Sequence, residues 1–175
     1  MRIIAGEWGG RRLQAVKGKG VRPTTDRVRE SWIAALGGEI AGASVLDLFA
    51  GSGALGLEAL SRGAREATFV ERGRGPLLTL SANIELLGAQ GRTRVVRGDA
   101  MAFARKMEPD AFDLVLADPP YDGSFARELL EHFSEKPFAR SLWVEHRSKE
   151  SMPPLPGLRQ RRYGDTTLSI LMRAE

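Results

Sequence analysis

Short apolar runs alternate with amphipathic segments along most of the chain, starting near residue 44. The runs are five or six residues long and rich in Val, Leu and Phe, which is typical of buried strands. The segments between them space apolar side chains three and four positions apart, which is typical of helices packed on one face. The pattern predicts strands over residues 44–49, 66–71, 93–97, 112–117 and 141–145, and helices over 54–62, 76–87, 100–107 and 124–133.

Two further strand-like runs follow, at residues 158–163 and 166–172, separated by Gly164 and Asp165. A turn of this composition joins neighbouring antiparallel strands. Repeated strand–helix units form a parallel sheet with helices on both faces. We therefore predict an α/β, Rossmann-like fold with a mostly parallel, seven-stranded sheet and an antiparallel C-terminal hairpin. Ligands of such folds bind at the carboxyl ends of the strands.

The first 40 residues do not follow this alternation. Short apolar runs flank the turn-rich stretch 6–10, which predicts a small β-hairpin. The stretch 23–26 has the composition of a helix start, and apolar side chains follow it at helical spacing. We predict an N-terminal extension of a hairpin and a helix over residues 1–40, and a ligand-binding domain over residues 41–175.

Charge is distributed unevenly over the 175 residues, whose net charge is +4. Residues 1–29 contain 8 basic and 2 acidic residues, a net charge of +6, whereas residues 30–175 contain 18 basic and 20 acidic residues, a net charge of −2. A basic segment on a nearly neutral body is typical of proteins that bind nucleic acids. A solvated basic tail has the same composition and is the alternative interpretation.

The chain contains no cysteine, which excludes disulfides and thiolate metal sites. Its first residues lack the pattern of a signal peptide, and no apolar run approaches the roughly 18 residues that a membrane-spanning helix requires. We expect a cytoplasmic protein with no membrane partner and no metal.

A glycine-rich loop follows the first predicted strand. Gly51, Gly53 and Gly56 have the G-x-G-x-x-G spacing of nucleotide-binding loops, between a strand and a helix. Glu71 lies 20 residues after Gly51, at the end of the second strand, where an acid binds the ribose hydroxyls of such ligands. The spacing predicts a nucleotide-containing cofactor, although a tight strand-to-helix turn without a ligand uses the same glycines.

Asp47 favours one of two possible cofactors. It lies four residues before the first glycine, where a carboxylate would repel the pyrophosphate of a nicotinamide dinucleotide. S-adenosylmethionine has no phosphate, and its ammonium group can bind a carboxylate directly or through water. A purely structural role as a cap is the alternative for Asp47. Asp99, after the third strand, is expected to accept a hydrogen bond from the adenine amino group, to cap the next helix, or to do both.

The fourth predicted strand runs into Asp118, Pro119, Pro120 and Tyr121. The prolines have a fixed φ and no backbone donor, so this loop offers carbonyl acceptors in a stiff frame. The Asp118 carboxylate and the Pro119 carbonyl can accept both hydrogens of a base amino group, while Tyr121 can stack on the base. These contacts would localise the nitrogen lone pair for attack on a methyl group. A proline-rich turn without a ligand is the alternative.

Four motifs follow one another along the chain: the segment 47–56, Glu71, Asp99 and the segment 118–121. Their order and composition resemble those of class I S-adenosylmethionine-dependent methyltransferases that act on base amino groups. The chain also resembles the bacterial 16S ribosomal RNA guanine-N2 methyltransferase family in residues 2–6, 10–13, 22–30, 57–64, 144–146 and 163–166. The resemblance covers nearly the whole chain. Its Asp-Pro-Pro-Tyr segment is shared with adenine-N6 enzymes, so the flanking segments carry the choice of base. Gly73 departs from the pattern, because relatives often have a second acid there.

The resemblance implies methyl transfer from S-adenosylmethionine to guanine N2 in 16S ribosomal RNA, within an assembling 30S subunit, by a monomer. The catalytic residues would be Asp118, Pro119, Pro120 and Tyr121. The cofactor contacts would be Asp47, Phe49, Ala50, Gly51, Ser52, Gly53, Gly56, Glu71, Arg72, Asp99, Ala100 and Asp118. The RNA contacts would be Arg11, Arg12, Arg22, Thr24, Arg27 and Arg29.

Other functions stay open at this stage. An amino methyltransferase could act on another base or nucleic acid, such as adenine N6 in DNA, although we find no additional target-recognition domain in the sequence. A nicotinamide-linked reductase is opposed by Asp47. A catalytically silent RNA-binding module is opposed by the intact segment 118–121.

Overall fold

The computed structural model describes residues 1–18, 26–121 and 123–175. Its α-helices are α1 (Asp26–Leu36), α2 (Ala54–Ser61), α3 (Arg74–Leu87), α4 (Ala100–Arg105) and α5 (Phe125–Glu135). Its strands are β1 (Ser44–Leu48), β2 (Glu66–Glu71), β3 (Thr93–Arg97), β4 (Leu114–Ala117), β5 (Ser141–Arg147), β6 (Arg159–Tyr163) and β7 (Thr166–Met172).

The seven strands form one sheet in the order β3-β2-β1-β4-β5-β7-β6. Neighbouring strands from β3 to β5 are parallel, whereas β7 is antiparallel to both β5 and β6. This topology confirms the predicted fold class, including its antiparallel hairpin. The strand order reverses between β1 and β4, and in such sheets the ligand crevice opens at the carboxyl ends of the strands on either side of the reversal.

The predicted and observed boundaries differ by a few residues. β5 continues to Arg147, two residues beyond the predicted end, because β7 pairs with it as far as Thr166. β4 begins at Leu114, two residues later than predicted, because Phe112 donates its backbone hydrogen bond to Phe138 outside the strand ladder. These shifts reflect pairing partners that are distant in sequence, which local patterning does not reveal.

Helices cover both faces of the sheet. α1, α2 and α3 pack on one face, and α4 and α5 pack on the other. The central strands β1 and β4 are buried on both faces, which explains their almost continuous apolar sequence. Trp8, Trp32 and Trp143 are all buried in the core that contains α1 to α3.

The N-terminal segment folds back on itself as a hairpin-like loop. Arg2 and Arg12 form an isolated antiparallel bridge, and Ile3 donates a backbone hydrogen bond of 2.9 Å to Arg11. Gly10 returns a bond of 2.8 Å to the carbonyl of Ile3. No regular strand is present in residues 1–18. Because Ile3 is fully buried in the α1–α3 core, this segment shares the hydrophobic core of the sheet.

The carboxylate of Glu58, in α2, holds the N-terminal segment in place. The side chain is fully buried, and its oxygens accept hydrogen bonds from the backbone N–H groups of Ile4, at 2.7 Å, and Ala5, at 3.4 Å. The guanidinium groups of Arg29 and Arg62 lie 3.8 and 3.4 Å from the same carboxylate. Each charge in this cluster therefore depends on the others for compensation.

Replacing Glu58 by Ala is expected to lower the free energy of unfolding by about 3–5 kcal/mol, because the buried Arg29 guanidinium would lose one of its carboxylate neighbours and the N–H groups of Ile4 and Ala5 would lose their acceptor. Urea denaturation followed by circular dichroism measures the loss. Glu66→Ala is the control, since Glu66 is exposed and lies 3.3 Å from the exposed Arg65; its effect should stay below about 1 kcal/mol. Equal effects of the two variants would contradict the role given to Glu58.

Candidate functional site

A cavity of about 600 Å³ opens at the carboxyl ends of the parallel strands, a volume typical of small-molecule sites. Each of the five parallel strands, or the residue or two after it, contributes one acid to the cavity wall. These acids are Asp47 in β1, Glu71 in β2, Asp99 after β3, Asp118 after β4 and Glu145 in β5. Because three arginines, Arg29, Arg72 and Arg147, line the cavity against five acids, the wall favours a ligand that carries more positive than negative charge.

The loop between β1 and α2 forms one wall of the cavity. Phe49, Ala50, Gly51 and Ser52 all line it. Phe49 and Gly51 have φ values of 57° and 56°, so the chain turns sharply as it leaves β1. A left-handed backbone at a residue as large as Phe49 is costly and is most often found at functional sites.

The other two glycines of the loop do not line the cavity. A Cβ atom at Gly53 would lie 2.3 Å from Cδ1 of Leu80, and one at Gly56 would lie 2.4 Å from Cε1 of Phe69. Their lack of a side chain therefore lets α2 pack closely against α3 and β2. The structure gives Gly53 and Gly56 a role in packing behind the loop.

Asp47 is buried behind the loop, where its Oδ2 accepts a hydrogen bond of 3.0 Å from the backbone N–H of Gly56. Burial raises the pKa of the Asp47 carboxyl well above its ordinary value. The Gly56 bond opposes this rise, and the nearby carboxylates of Asp118 and Glu71 add to it. A cationic ligand in the cavity would stabilise the ionised form of Asp47.

Glu71 joins the ends of β1 and β2. Its Oε2 accepts a hydrogen bond of 2.9 Å from the N–H of Gly51, and its Oε1 accepts one of 2.9 Å from the N–H of Gly73. These bonds fix the carboxylate at the cavity wall. Oε1 also accepts a hydrogen bond of 3.1 Å from the N–H of Arg72. Because each carboxylate oxygen has two acceptor positions, Oε2 retains one for a ligand hydroxyl.

Asp99 follows β3 and caps the N-terminus of α4 at the cavity wall. Its Oδ1 accepts a hydrogen bond of 2.8 Å from the N–H of Ala102, so the predicted capping role is observed. Its Oδ2 lies 3.9 Å from the exposed guanidinium of Arg72. Arg72, Asp99 and Ala100 all line the cavity, and the capped carboxylate retains acceptor positions for a ligand.

Asp118, Pro119, Pro120 and Tyr121 line the cavity next to the glycine-rich loop. They follow β4, the strand beside β1, so parallel pairing brings the two loops together although 60 or more residues separate them in sequence. The ring of Phe125 packs against Phe49 with 5.4 Å between ring centroids. This contact closes the cavity beside both loops.

The hydroxyl of Tyr121 donates a hydrogen bond of 2.9 Å to Oε1 of Glu145 and lies 3.4 Å from Oγ1 of Thr166. Burial raises the pKa of Tyr121 to about 12, so the phenol is protonated at neutral pH. The guanidinium of Arg147 lies 5.2 Å from the centroid of the Tyr121 ring. The ring is thereby held at the cavity wall by its hydroxyl and by a cation–π contact.

The predicted RNA contacts fall into three groups. Arg11, Arg12 and Arg27 are exposed. Arg22 and Thr24 lie outside the described residues. Arg29 lacks the exposure that a surface contact with RNA needs, because its side chain is fully buried among its polar partners and borders the cavity.

The guanidinium of Arg29 has an incomplete set of partners. Its Nη2 donates to the carbonyl of Arg2 and, at 3.0 Å, to Oδ1 of Asp26. Its Nε is 3.8 Å from Glu58, too far for a hydrogen bond. Within the described part of the chain, the buried Nε and Nη1 have no acceptor. Nε is turned toward Glu58, so Nη1 is the donor that a ligand acceptor could reach from the cavity.

Sequence reasoning missed Glu145 and Arg147 as lining residues. Glu145 carries the same signal as Asp47, since it is an acid within an apolar strand. Arg147 also borders a second cavity, of about 460 Å³, with Ser148, Lys149, Arg162 and Asp165. This second cavity is mainly basic and adjoins the first at Arg147.

Across residues 1–18, 26–121 and 123–175, no three His, Asp or Glu side chains are grouped so that they could hold a metal ion. In the same residues, every helix is too short or too polar to cross a membrane.

Replacing Asp47 by Asn is expected to stabilise the ligand-free protein at neutral pH. The folded-state pKa of Asp47 is raised, so its contribution to stability is complete below its unfolded pKa of about 3.9 and is lost as pH rises through the folded value. Asn cannot ionise, so the variant should have a Tm higher by about 2–4 °C or more at pH 8 and a smaller gain near pH 5. Thermal denaturation at several pH values measures both. A lower Tm of the variant at pH 8 would contradict the assignment.

Comparison with known proteins shows the family of the chain. The family described as Conserved hypothetical protein 95 matches residues 1–172. Ribosomal RNA small subunit methyltransferase D of Escherichia coli is 41% identical over 160 residues, which cover 89% of this chain and 79% of that protein.

Solved structures have the same fold. The yhhF protein of Escherichia coli is 36% identical, with a TM-score of 0.82 over 99% of this chain and 97% of that one. An RNA methyltransferase from Salinibacter ruber, in complex with S-adenosyl-L-homocysteine, is 14% identical with a TM-score of 0.66 over 86% of this chain and 93% of that one, which shows the fold alone. The chain belongs to the Conserved hypothetical protein 95 family and to the family of ribosomal RNA methyltransferases that includes small subunit methyltransferase D.

Proposed function

We propose that the protein transfers a methyl group from S-adenosylmethionine to the exocyclic N2 amino group of a guanine in 16S ribosomal RNA. Its family supports ribosomal RNA methylation, since the 41%-identical relative is a small subunit methyltransferase. The observation that carries the proposal is that the glycine-rich loop and the segment 118–121 border one cavity. A methyl donor at the loop and a base amine at Asp118 would meet in that space.

The charges of the cavity support S-adenosylmethionine as the methyl donor. Asp47 is close to the loop, where the ammonium of the methionine end would bind. Glu71 would accept a hydrogen bond from a ribose hydroxyl, and Asp99 would accept one from the adenine amino group. The sulfonium adds a further positive charge, which the acidic wall favours, whereas a nicotinamide dinucleotide would bring two phosphates to it.

S-adenosylmethionine also carries a carboxylate, which needs a cation in an acidic cavity. Three arginines line the cavity: Arg72 beside Asp99, Arg147 over the ring of Tyr121, and Arg29. Arg72 is therefore at the adenine end and Arg147 at the base end. Arg29 remains for the methionine end, and its unpaired Nη1 can donate to a carboxylate. We infer that Arg29 binds the carboxylate of the cofactor.

The segment 118–121 would prepare the amine for attack. Asp118 and the carbonyl of Pro119 accept the two amine hydrogens, which concentrates the lone pair on nitrogen. S-adenosylmethionine supplies a methyl group bonded to positively charged sulfur. The N–C bond forms as the C–S bond breaks and sulfur keeps the bonding electron pair. The nitrogen then loses a proton to Asp118 or to water.

Exposed arginines and a basic second cavity support RNA as the substrate. The exposed Arg11, Arg12 and Arg27 would contact phosphates, as would the basic second cavity at the base end. The target base would enter from a loop or flip out of a helix. We propose an assembling 30S subunit as the partner of a cytoplasmic monomer, with residues 1–40 as an RNA-binding extension of the catalytic domain, residues 41–175.

The proposal predicts N2-methylguanosine when the protein and S-adenosylmethionine are incubated with 30S subunits from cells that lack this activity. Nuclease digestion and mass spectrometry of the nucleosides identify the product. Asp118→Ala should lower the rate by about 10²–10³-fold, because an acceptor that orients and polarises the amine is lost, while calorimetry should still detect S-adenosylhomocysteine. N6-methyladenosine as the product, or a fully active Asp118→Ala variant, would contradict the proposal.

A matched pair of ligands tests the role of Arg29. S-adenosylmethionine and its decarboxylated analogue differ by the carboxylate alone, so Arg29→Met should weaken binding of the first by about 10-fold or more and leave the second nearly unchanged. Calorimetry measures both affinities. The variant is made in a Glu58→Gln background, which avoids a buried unpaired carboxylate, and Glu58→Gln alone is the control. An equal loss of affinity for both ligands would indicate a structural role only.

A further inference from the structure

Glu145 is a buried acid that the proposed methyl transfer does not use. It is 1% exposed and lines the cavity. The parallel register pairs Ala117 with Val144, so the next residues along β4 and β5 are Asp118 and Glu145. Neighbouring strands lie about 4.8 Å apart. The two acids therefore start from adjacent positions at the same edge of the sheet.

The hydrogen bond from Tyr121 orients the Glu145 carboxylate. The phenol donates to Oε1, and its raised pKa keeps it a donor at neutral pH. A carboxylate has about four acceptor positions on two oxygens, so Glu145 can accept hydrogen bonds from more than one donor. Tyr121 is itself part of the segment expected to hold the base, so the Glu145 carboxylate lies at the site where the base would bind.

The Watson–Crick edges of guanine and adenine differ next to the reactive amine. Guanine has two neighbouring donors, the N2 amino group and N1–H. Adenine has the N6 amino group beside N1, which is an acceptor. Two adjacent carboxylates can accept hydrogen bonds from both donors of guanine. The N1 acceptor of adenine would instead face a carboxylate, with no proton between them to form a hydrogen bond. A pair of acids therefore distinguishes the bases, which the segment 118–121 alone does not.

We propose that Glu145 selects guanine by accepting a hydrogen bond from N1–H while Asp118 and Pro119 accept those of the N2 amino group. This inference rests on the proposed function and names the residue that decides its substrate base. It assigns Glu145 to recognition and leaves the methyl-transfer chemistry to the segment 118–121.

The base 2-aminopurine tests this assignment, because it keeps the 2-amino group but has an acceptor at N1. We would reconstitute 30S subunits with 16S ribosomal RNA that carries guanine or 2-aminopurine at the methylated position, which mass spectrometry of ribonuclease fragments of the methylated RNA would first locate. Single-turnover rates would be measured for the wild-type protein and for Glu145→Gln, whose amide can donate to an N1 acceptor. The ratio of the two rates is compared between proteins, which cancels the intrinsic reactivity of each base.

The wild-type protein should prefer guanine, and Glu145→Gln should lower the guanine-to-2-aminopurine rate ratio by about 10- to 100-fold. Thr166→Val is the matched control: Thr166 is near the Tyr121 hydroxyl, and its replacement leaves the carboxylate in place, so the ratio should not change. An equal loss of both rates in Glu145→Gln would mean that Glu145 merely supports Tyr121, and an unchanged ratio would also overturn the inference. Failure of the wild-type protein to form N2-methylguanosine would instead refute the proposed function itself.

Discussion

Parallel pairing of five strands brings five carboxylates to one cavity, and the rest of the site compensates for the repulsion between them. Backbone N–H groups of the nearby loops offset part of this cost. Gly51 and Gly73 donate to Glu71, and Gly56 donates to Asp47. Burial is the main cause of the raised pKa of Asp47, and the nearby carboxylates of Asp118 and Glu71 add to it. The proposed cofactor, S-adenosylmethionine, would bring two positive charges to these carboxylates and one carboxylate to the buried Arg29.

The same loops illustrate how packing and ligand binding are divided among neighbouring residues. Phe49 to Ser52 line the cavity, whereas Gly53 and Gly56 let α2 approach α3 and β2. A larger residue at either glycine would displace the helix that positions the loop. Of the three motif glycines, Gly51 therefore lines the cavity, whereas Gly53 and Gly56 support the loop through packing.

The N-terminal segment connects charge, stability and the cavity. The buried carboxylate of Glu58 holds the backbone of Ile4 and Ala5 and lies near Arg29. Arg29 contributes to the positive charge of residues 1–29, yet it is buried at the cavity wall. Net charge counts all arginines alike, so it could not separate this residue from the exposed Arg11, Arg12 and Arg27.

The sequence by itself determined the fold class, the order of the functional motifs along the chain and the loops that carry them. These features depend on hydrophobic periodicity and on local glycine and proline geometry. Only the tertiary structure decided which residues share the cavity. Strand pairing places Glu145 beside Asp118 and extends β5 to Arg147. Arg29, which we expected at the RNA-binding surface, is buried at the cavity wall. These outcomes depend on contacts between residues far apart in the chain, and local sequence patterns do not reveal such contacts.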